Sequence, residues 1–208
     1  MVTGTRLTEP PAAQFYRHRI GEVELIALSD GGLNYPTAMI LGQVPPEGVS
    51  AYDLPEKQMF LPYTILLVKT QEALLLNDVG AGDLGNPGDK IFPGLDHTTS
   101  RTNLAVPSLK AAGFAPEEID TVLITHAHPD HIGGVFDAAG DLLFPNARYY
   151  VMLEEWDYWM SADPSAVEAE ALRHHLLVFA HHLGPFPNLG RIGKVGDAWQ
   201  WQPIETKG

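Results

Sequence analysis

The chain contains no cysteine. Disulfides and thiolate metal sites are therefore excluded, and any transition-metal ligand must be a nitrogen or oxygen donor. Basic residues are scarce: 13 Lys and Arg stand against 26 Asp and Glu, a net charge of −13 over 208 residues. A chain so charged lacks the basic footprint by which proteins hold nucleic acid. No apolar run approaches the roughly 18 residues a bilayer-crossing helix needs. The stretch Met1 to Gln14 has no apolar core of the signal-peptide kind. The expectation is thus a cytoplasmic protein without membrane or nucleic-acid partners. Internal repeats and low-complexity tracts are missing too. What remains has the length of one domain or a little more, with 20 glycines and 17 prolines that imply many turns.

The pattern along the chain predicts an α/β fold. Gly21 to Ser29 (GEVELIALS) alternates as a strand does, and Asp30-Gly31-Gly32 punctuates it. Residues Asn34 to Leu61 are rich in turn formers and predict a long loop with a short helix. Thr64 to Thr70 (TILLVKT) and Glu72 to Asn77 (EALLLN) are two β-rich runs separated by almost nothing, which is a hairpin pattern. Both are nearly all apolar, so the sheet is expected to be covered on both faces. Asn103 to Gly113 predicts a helix with Pro107 near its start and Gly113 near its C-cap. Pro116 to Asp120 adds one turn, and Thr121 to Thr125 (TVLIT) is a short buried strand. A turn at Phe144 to Ala147 precedes a strand over Arg148 to Met152. Glu154 to Met160 and Ser165 to Leu183 read as helical, and a strand is expected near Trp199 to Pro203.

Directly after TVLIT the sequence reads His126-Ala127-His128-Pro129-Asp130-His131, followed by Gly133-Gly134. Residues two apart in an extended segment point to the same side, so His126 and His128 can chelate one ion. Pro129 fixes a turn, and Asp130 and His131 then project from a different backbone direction, where they can serve a second ion. Imidazole nitrogen and carboxylate oxygen suit zinc, and also iron, manganese or cobalt. The blander reading, surface or core histidines without a ligand, does not account for so many donors behind one apolar strand. The end of a buried strand is also where open α/β folds bind ligands.

These residues carry a resemblance. The stretch Thr125 to Gly134 (THAHPDHIGG) resembles the His-x-His-x-Asp-His signature of the metallo-β-lactamase-fold hydrolases. The run Thr64 to Gly80, ending in Asp78-Val79-Gly80, is similar to that fold's early hairpin, and Leu109 to Ile119 to the helix and turn before the signature strand. Phe144 to Trp159 resembles the lactonase and organophosphate-hydrolase-like branch. The resemblance covers most of residues 20 to 160 and implies an αββα sandwich, of which this chain would hold the first half and the start of the second. It implies His126 and His128 as ligands of a first metal, and Asp130 and His131 as ligands of a second, with zinc the expected ion at both. It further implies that Asp130 orients a bridging hydroxide, its catalytic role, and that Asp78 bonds to the ligand loop. For Asp78 a simple turn aspartate is the rival reading.

Family members also carry a third histidine in a Gly-His-Thr-x-Gly-His-like segment, then a bridging aspartate and a last histidine. None of these is found up to Gly208, so residues 1–208 are expected to form a single domain incomplete at its carboxyl end. His174 and His181 share a helix face but stand roughly 10 Å apart, too far to share an ion. With His175 and His182 they read as helix-surface or packing residues, and isolated His18 and His97 likewise. Trp156, Tyr158 and Trp159 read as packing a helix onto the sheet rather than lining a cleft. Trp199 and Trp201 alternate as on a strand. The function implied is a metal-dependent hydrolase that turns a metal-bound hydroxide on a small ester, lactone or related substrate. The alternatives are a half-domain with weak or no metal binding and no activity of its own, and a thioester hydrolase of the glyoxalase II type. A nuclease is disfavoured by the acidic charge. Homo-oligomerisation is left open.

Overall fold

A computed structural model describes residues 12–42, 47, 54–55, 57–82 and 96–161. These residues form a seven-stranded mixed sheet with helices packed against it. Strand β1 (Phe15–Ile20) turns at Gly21 into β2 (Val23–Pro36), and the two pair antiparallel. The short helix α1 (Thr37–Leu41) follows, and β3 (Gln58–Lys69) returns antiparallel along β2. A tight turn leads to β4 (Leu74–Asn77), antiparallel to β3. Strand β5 (Asp96–Arg101) pairs with β2, and helix α2 (Ala105–Ala111) and a 3₁₀ turn (Pro116–Glu118) lead into β6 (Thr121–Ile124). Helix α3 (Pro129–Ile132), strand β7 (Arg148–Val151) and helix α4 (Leu153–Ser161) complete the order. The main strand order is β1-β2-β3-β4-β6-β7, with β6 parallel to both β4 and β7.

That parallel pairing positions the site. Because β4 and β6 run the same way, their carboxyl ends lie side by side, and Asn77 stands opposite Leu123. The residues that leave the two strands, Asp78 and Thr125, are therefore neighbours in space although far apart in sequence. The connection between them must cross over the sheet, which is the work of α2.

A row of directly opposed residues, Ile26, Leu67, Leu76, Val122 and Tyr149, crosses five strands and is buried throughout. Each such side chain contributes about 2 kcal/mol by leaving water. The row on the other face, Leu25, Val68, Leu75 and Thr121, is only half-buried, and its end at Arg148 is exposed. The sheet is thus fully covered on one face and partly on the other among the described residues, not on both as the apolar runs suggested.

Other expectations need smaller corrections. The hairpin, α2 with Pro107 in its first turn, the 3₁₀ turn, β6, β7 and α4 all lie where predicted. Asp30-Gly31-Gly32 does not end its strand. The β2–β3 register shifts between Ser29 and Gly31, so Asp30 is the extra residue of a β-bulge and the strand runs on to Pro36. The predicted loop from Asn34 is correspondingly shorter, although its short helix is α1. The expected helix at Ser165 to Leu183 and strand near Trp199 to Pro203 lie outside the described residues, as do His174, His175, His181, His182, Trp199 and Trp201.

The bulge turns Asp30 into the core, where it is fully buried. Its carboxylate accepts hydrogen bonds from the N–H groups of Ala81 (2.7 Å), Leu104 and Ala105 (both 2.8 Å). One side chain thus joins β2, the loop after β4 and the start of α2. Burial pushes the Asp30 carboxyl up to about 7, against the pull of those three donors. The native state then binds this proton more tightly than the unfolded chain, whose Asp titrates near about 4. The contribution is full below about 4 and is lost as pH rises through about 7. Asp30→Ala strands three buried donors and should lower the unfolding free energy by about 3 kcal/mol or more at pH 5, with a deficit that shrinks towards pH 8. Urea unfolding of both proteins checks this; a loss below about 1 kcal/mol, or a deficit that grows with pH, would contradict it.

Candidate metal centre

The site occupies the carboxyl ends of β4 and β6. Val122 and Ile124 point into the core, and the chain leaves β6 at Thr125. His126 is half-buried, Ala127 is fully buried, and His128 is exposed. Pro129 opens α3 at its first position, which its fixed φ suits. Asp130 and His131 sit in that single turn, each less than a third exposed at the side chain.

The donor atoms come together as two pairs. His126 Nε2 lies 3.1 Å from His128 Nδ1. His131 Nε2 lies 3.5 Å from Asp130 Oδ2. Two ligands held about 2.0–2.1 Å from a tetrahedral ion stand about 3.3 Å apart, so both spacings match one edge of such a site. The pairs are contiguous, for the rings of His126 and His131 have centroids 3.9 Å apart. Among the described residues no three or more His, Asp or Glu side chains converge on a single point. The arrangement is two bidentate edges rather than a closed cage, and further donors to either ion would have to come from elsewhere.

Asp78 leaves β4 in the left-handed region, with φ 62°, a conformation that aspartate tolerates better than most residues. This aims its side chain back across the β6 exit. Oδ1 accepts the Thr125 N–H at 2.8 Å, and Oδ2 stands 2.9 Å from the Thr125 hydroxyl and 2.8 Å from His131 Nδ1. The carboxylate so holds a proton on His131 Nδ1 and turns Nε2 towards Asp130. A histidine that gives its other N–H to a carboxylate is the usual support for a metal-binding imidazole. His126 has a comparable neighbour, since its Nδ1 lies 3.0 Å from the Thr125 hydroxyl.

The electrostatics follow from these contacts. Burial works against charge on His131, but the Asp78 hydrogen bond and the Asp130 and Asp78 charges outweigh it, and its pKa is raised. His126 is lowered, by burial first and then by the positive charges of His131 and His128. The shift disfavours the charged form of this ring.

The loop after β4 is locked to the α3 end by backbone contacts. Val79 N–H donates to His131 O and Gly134 N–H to Gly80 O, both at 3.0 Å. The approach is so close that a Cβ on Gly134 would meet Val79 O at 2.1 Å, and one on Gly80 would meet the Asp30 carboxylate at 2.4 Å. Gly134, after the histidine cluster, and Gly80, after β4, are thus required by packing, not by turn formation alone.

Several residues near the site carried no legible signal in the sequence. Glu155 of α4 accepts the Ala127 N–H at 2.7 Å, between the two histidines. The hydroxyls of Tyr35 and Tyr63 are hydrogen-bonded in the core. Burial above all, with the nearby Asp130 charge, pushes Tyr35 up to about 12. Trp159 is buried and Trp156 packs partly against the core, as expected of a helix-packing face, whereas Tyr158 is exposed. His18 lies on exposed β1 and His97 in β5, both far in sequence from the cluster.

Removing the Asp78 carboxylate leaves burial as the main influence on the His131 ring. In the metal-free chain, Asp78→Ala should lower the His131 pKa, because the ring loses its carboxylate partner while its burial stays. A titration followed by NMR of the imidazole resonances checks this, and an unchanged His131 pKa would show that Asp78 does not hold the ring.

Comparison with known proteins agrees with this geometry. The sequence profile of the metallo-beta-lactamase superfamily matches residues 83–193, just over half of the chain. A probable metallo-hydrolase of Mycobacterium bovis is 28% identical over 143 residues, which is 65% of this chain and 41% of that protein. AidC, a dizinc quorum-quenching lactonase solved in complex with a product, is 28% identical with a TM-score of 0.67 over 87% of this chain and 60% of its own. AbOPH, a hydrolase of the beta-lactamase superfamily, is 26% identical with a TM-score of 0.68, over 88% of this chain and 60% of its own. The chain therefore spans between about two fifths and three fifths of the length of these relatives. With its profile, its sheet and its histidine-rich strand exit in agreement, the chain belongs to the metallo-β-lactamase superfamily.

Proposed function

We propose that this protein is a metal-dependent hydrolase of small esters, lactones or related substrates. The observation that carries the reading is the pairing of donors at the β6 exit, His126 with His128 and Asp130 with His131, each at the spacing of one coordination edge. In this reading His126 Nε2 and His128 Nδ1 hold one ion, and Asp130 and His131 Nε2 hold the other, with zinc the first expectation. A bound divalent ion of this kind lowers the pKa of water and polarises a carbonyl. The chain's own residues do the positioning. Asp78 holds the proton of His131 on Nδ1, and burial disfavours the charged form of His126. Asp130 lies in the first turn of α3 and is the carboxylate best placed to orient a nucleophilic water. The likeness to AidC supports a lactone or another cyclic or open ester as substrate. Residues 1–208 are read as one domain of this fold.

The donor count favours a second reading, in which the chain holds metal only weakly and is inactive by itself. Two protein donors per ion fall short of the three usual at catalytic zinc. Zinc titration of the 208-residue chain, alongside turnover of an ester and lactone panel before and after chelation, separates the two. The hydrolase reading predicts up to two zinc ions per chain, activity abolished by chelator and restored by zinc, cobalt or manganese, and loss of one ion each in His126→Ala and His131→Ala. Zinc binding without turnover supports the second reading. Full turnover by metal-free protein would refute both.

A further inference from the structure

Glu155 has no place in the reading so far, yet it touches the site at its most sensitive point. The peptide unit between His126 and His128 sets the directions of both rings, because the two side chains leave the backbone on either side of Ala127. Ala127 is fully buried, so its N–H must find a partner inside the protein. That partner is the Glu155 carboxylate, whose Oε1 accepts at 2.7 Å. The same oxygen accepts the indole N–H of Trp159 at 2.5 Å. Residues 155 and 159 are one turn apart on α4 and share a face. Trp159 is only 6% exposed, and its ring lies edge-on to His128 with centroids 6.2 Å apart. The carboxylate is thus held by a donor that is itself fixed in the core, and that donor also borders one of the two imidazoles.

The topology explains why a helix at the far end of the described chain reaches this loop. Strand β7 is the parallel neighbour of β6, and only Met152 separates its end from α4. The first turn of α4 therefore starts beside the β6 exit. A solvated helix-surface glutamate would not be desolvated against a backbone amide and an indole at once.

We infer that Glu155 is a positioning residue for the His126–His128 pair, which holds, through the Ala127 amide and together with Trp159, the spacing at which the two imidazoles face one ion. The inference rests on the metal reading proposed above and concerns the His126–His128 pair, whose linking amide Glu155 accepts, whereas Asp78 bonds His131 directly. What matters is an acceptor oxygen at this place. Glu155→Gln keeps the acceptor and loses the charge, Glu155→Ala loses both, and Trp159→Phe keeps the ring but frees the carboxylate of its donor.

The test measures zinc affinity with a competing chelator on the full 208-residue chain, using His131→Ala as background to isolate the first pair and His126→Ala to isolate the second. Amide hydrogen exchange at Ala127 is followed in the metal-free protein. Glu155→Ala should weaken the first pair by about 10- to 100-fold, the range for loss of a partner behind a metal ligand, and leave the second pair within about twofold. It should also speed Ala127 exchange at least about tenfold. Glu155→Gln should stay near wild type in both measurements, and Trp159→Phe should fall between. Equal affinity loss at both pairs would overturn the inference in favour of a general structural role. A Gln variant as defective as the Ala variant would overturn it in favour of charge. Unchanged Ala127 exchange in Glu155→Ala would overturn it outright, even if the wild-type chain binds no zinc, a result that would itself refute the metal reading.

Discussion

The Asp78 carboxylate is the constraint on which the arrangement of the site depends. It sits where the chain leaves β4, in a left-handed conformation, and reaches the neighbouring exit of β6. Its two oxygens engage the Thr125 amide, the Thr125 hydroxyl and the His131 ring. Hydrogen bonds to an ionised group contribute about 1.5–3 kcal/mol each when well formed. Here their more important effect is directional, since they fix one ring by its Nδ1 and leave Nε2 for other use. The parallel pairing of β4 with β6 is what makes this reach short.

The same loop is held from behind. Asp30, turned inward by the β2 bulge, grips the Ala81 amide and the first amides of α2. Gly80 and Gly134 let the backbones on either side close to hydrogen-bond distance. The support therefore runs in series: Asp30 fixes the loop, the loop fixes Asp78 and the α3 end, and Asp78 fixes His131. The first histidine pair is met by Thr125, which Asp78 also holds, on one side and by α4 on the other. Two carboxylates, Asp78 at the β4 exit and Glu155 on α4, thus meet the two donor pairs by different routes, with Thr125 between them.

His126 to His131 was legible as a candidate donor set because it gathers several rare residue types at short spacing behind one apolar strand. The hairpin and the crossover helix were legible too, since their apolar runs and their Gly and Pro boundaries agree. Strand β1 was missed because its burial is uniform and exposed, so Phe15 to Ile20 leaves no alternating pattern. Strand β5 (DHTTSR) is polar throughout and exists by pairing with β2. The bulge at Asp30 looked like a turn because Asp-Gly-Gly reads the same in either setting; only the register with β3 separates them. Glu155 stands in a Glu-Glu-Trp-Asp run typical of a solvated helix, and nothing local marks which carboxylate faces an amide far away in sequence.

Crystallographic anomalous scattering at the zinc edge, from crystals of the zinc-loaded protein, tests the account most directly. It predicts two peaks about 3.5–4 Å apart. One should lie about 2.1 Å from both His126 Nε2 and His128 Nδ1, and the other at a similar distance from Asp130 and His131 Nε2. A peak that engages none of these atoms, or a single ion at which His131 binds through Nδ1 with Asp78 displaced, would contradict it.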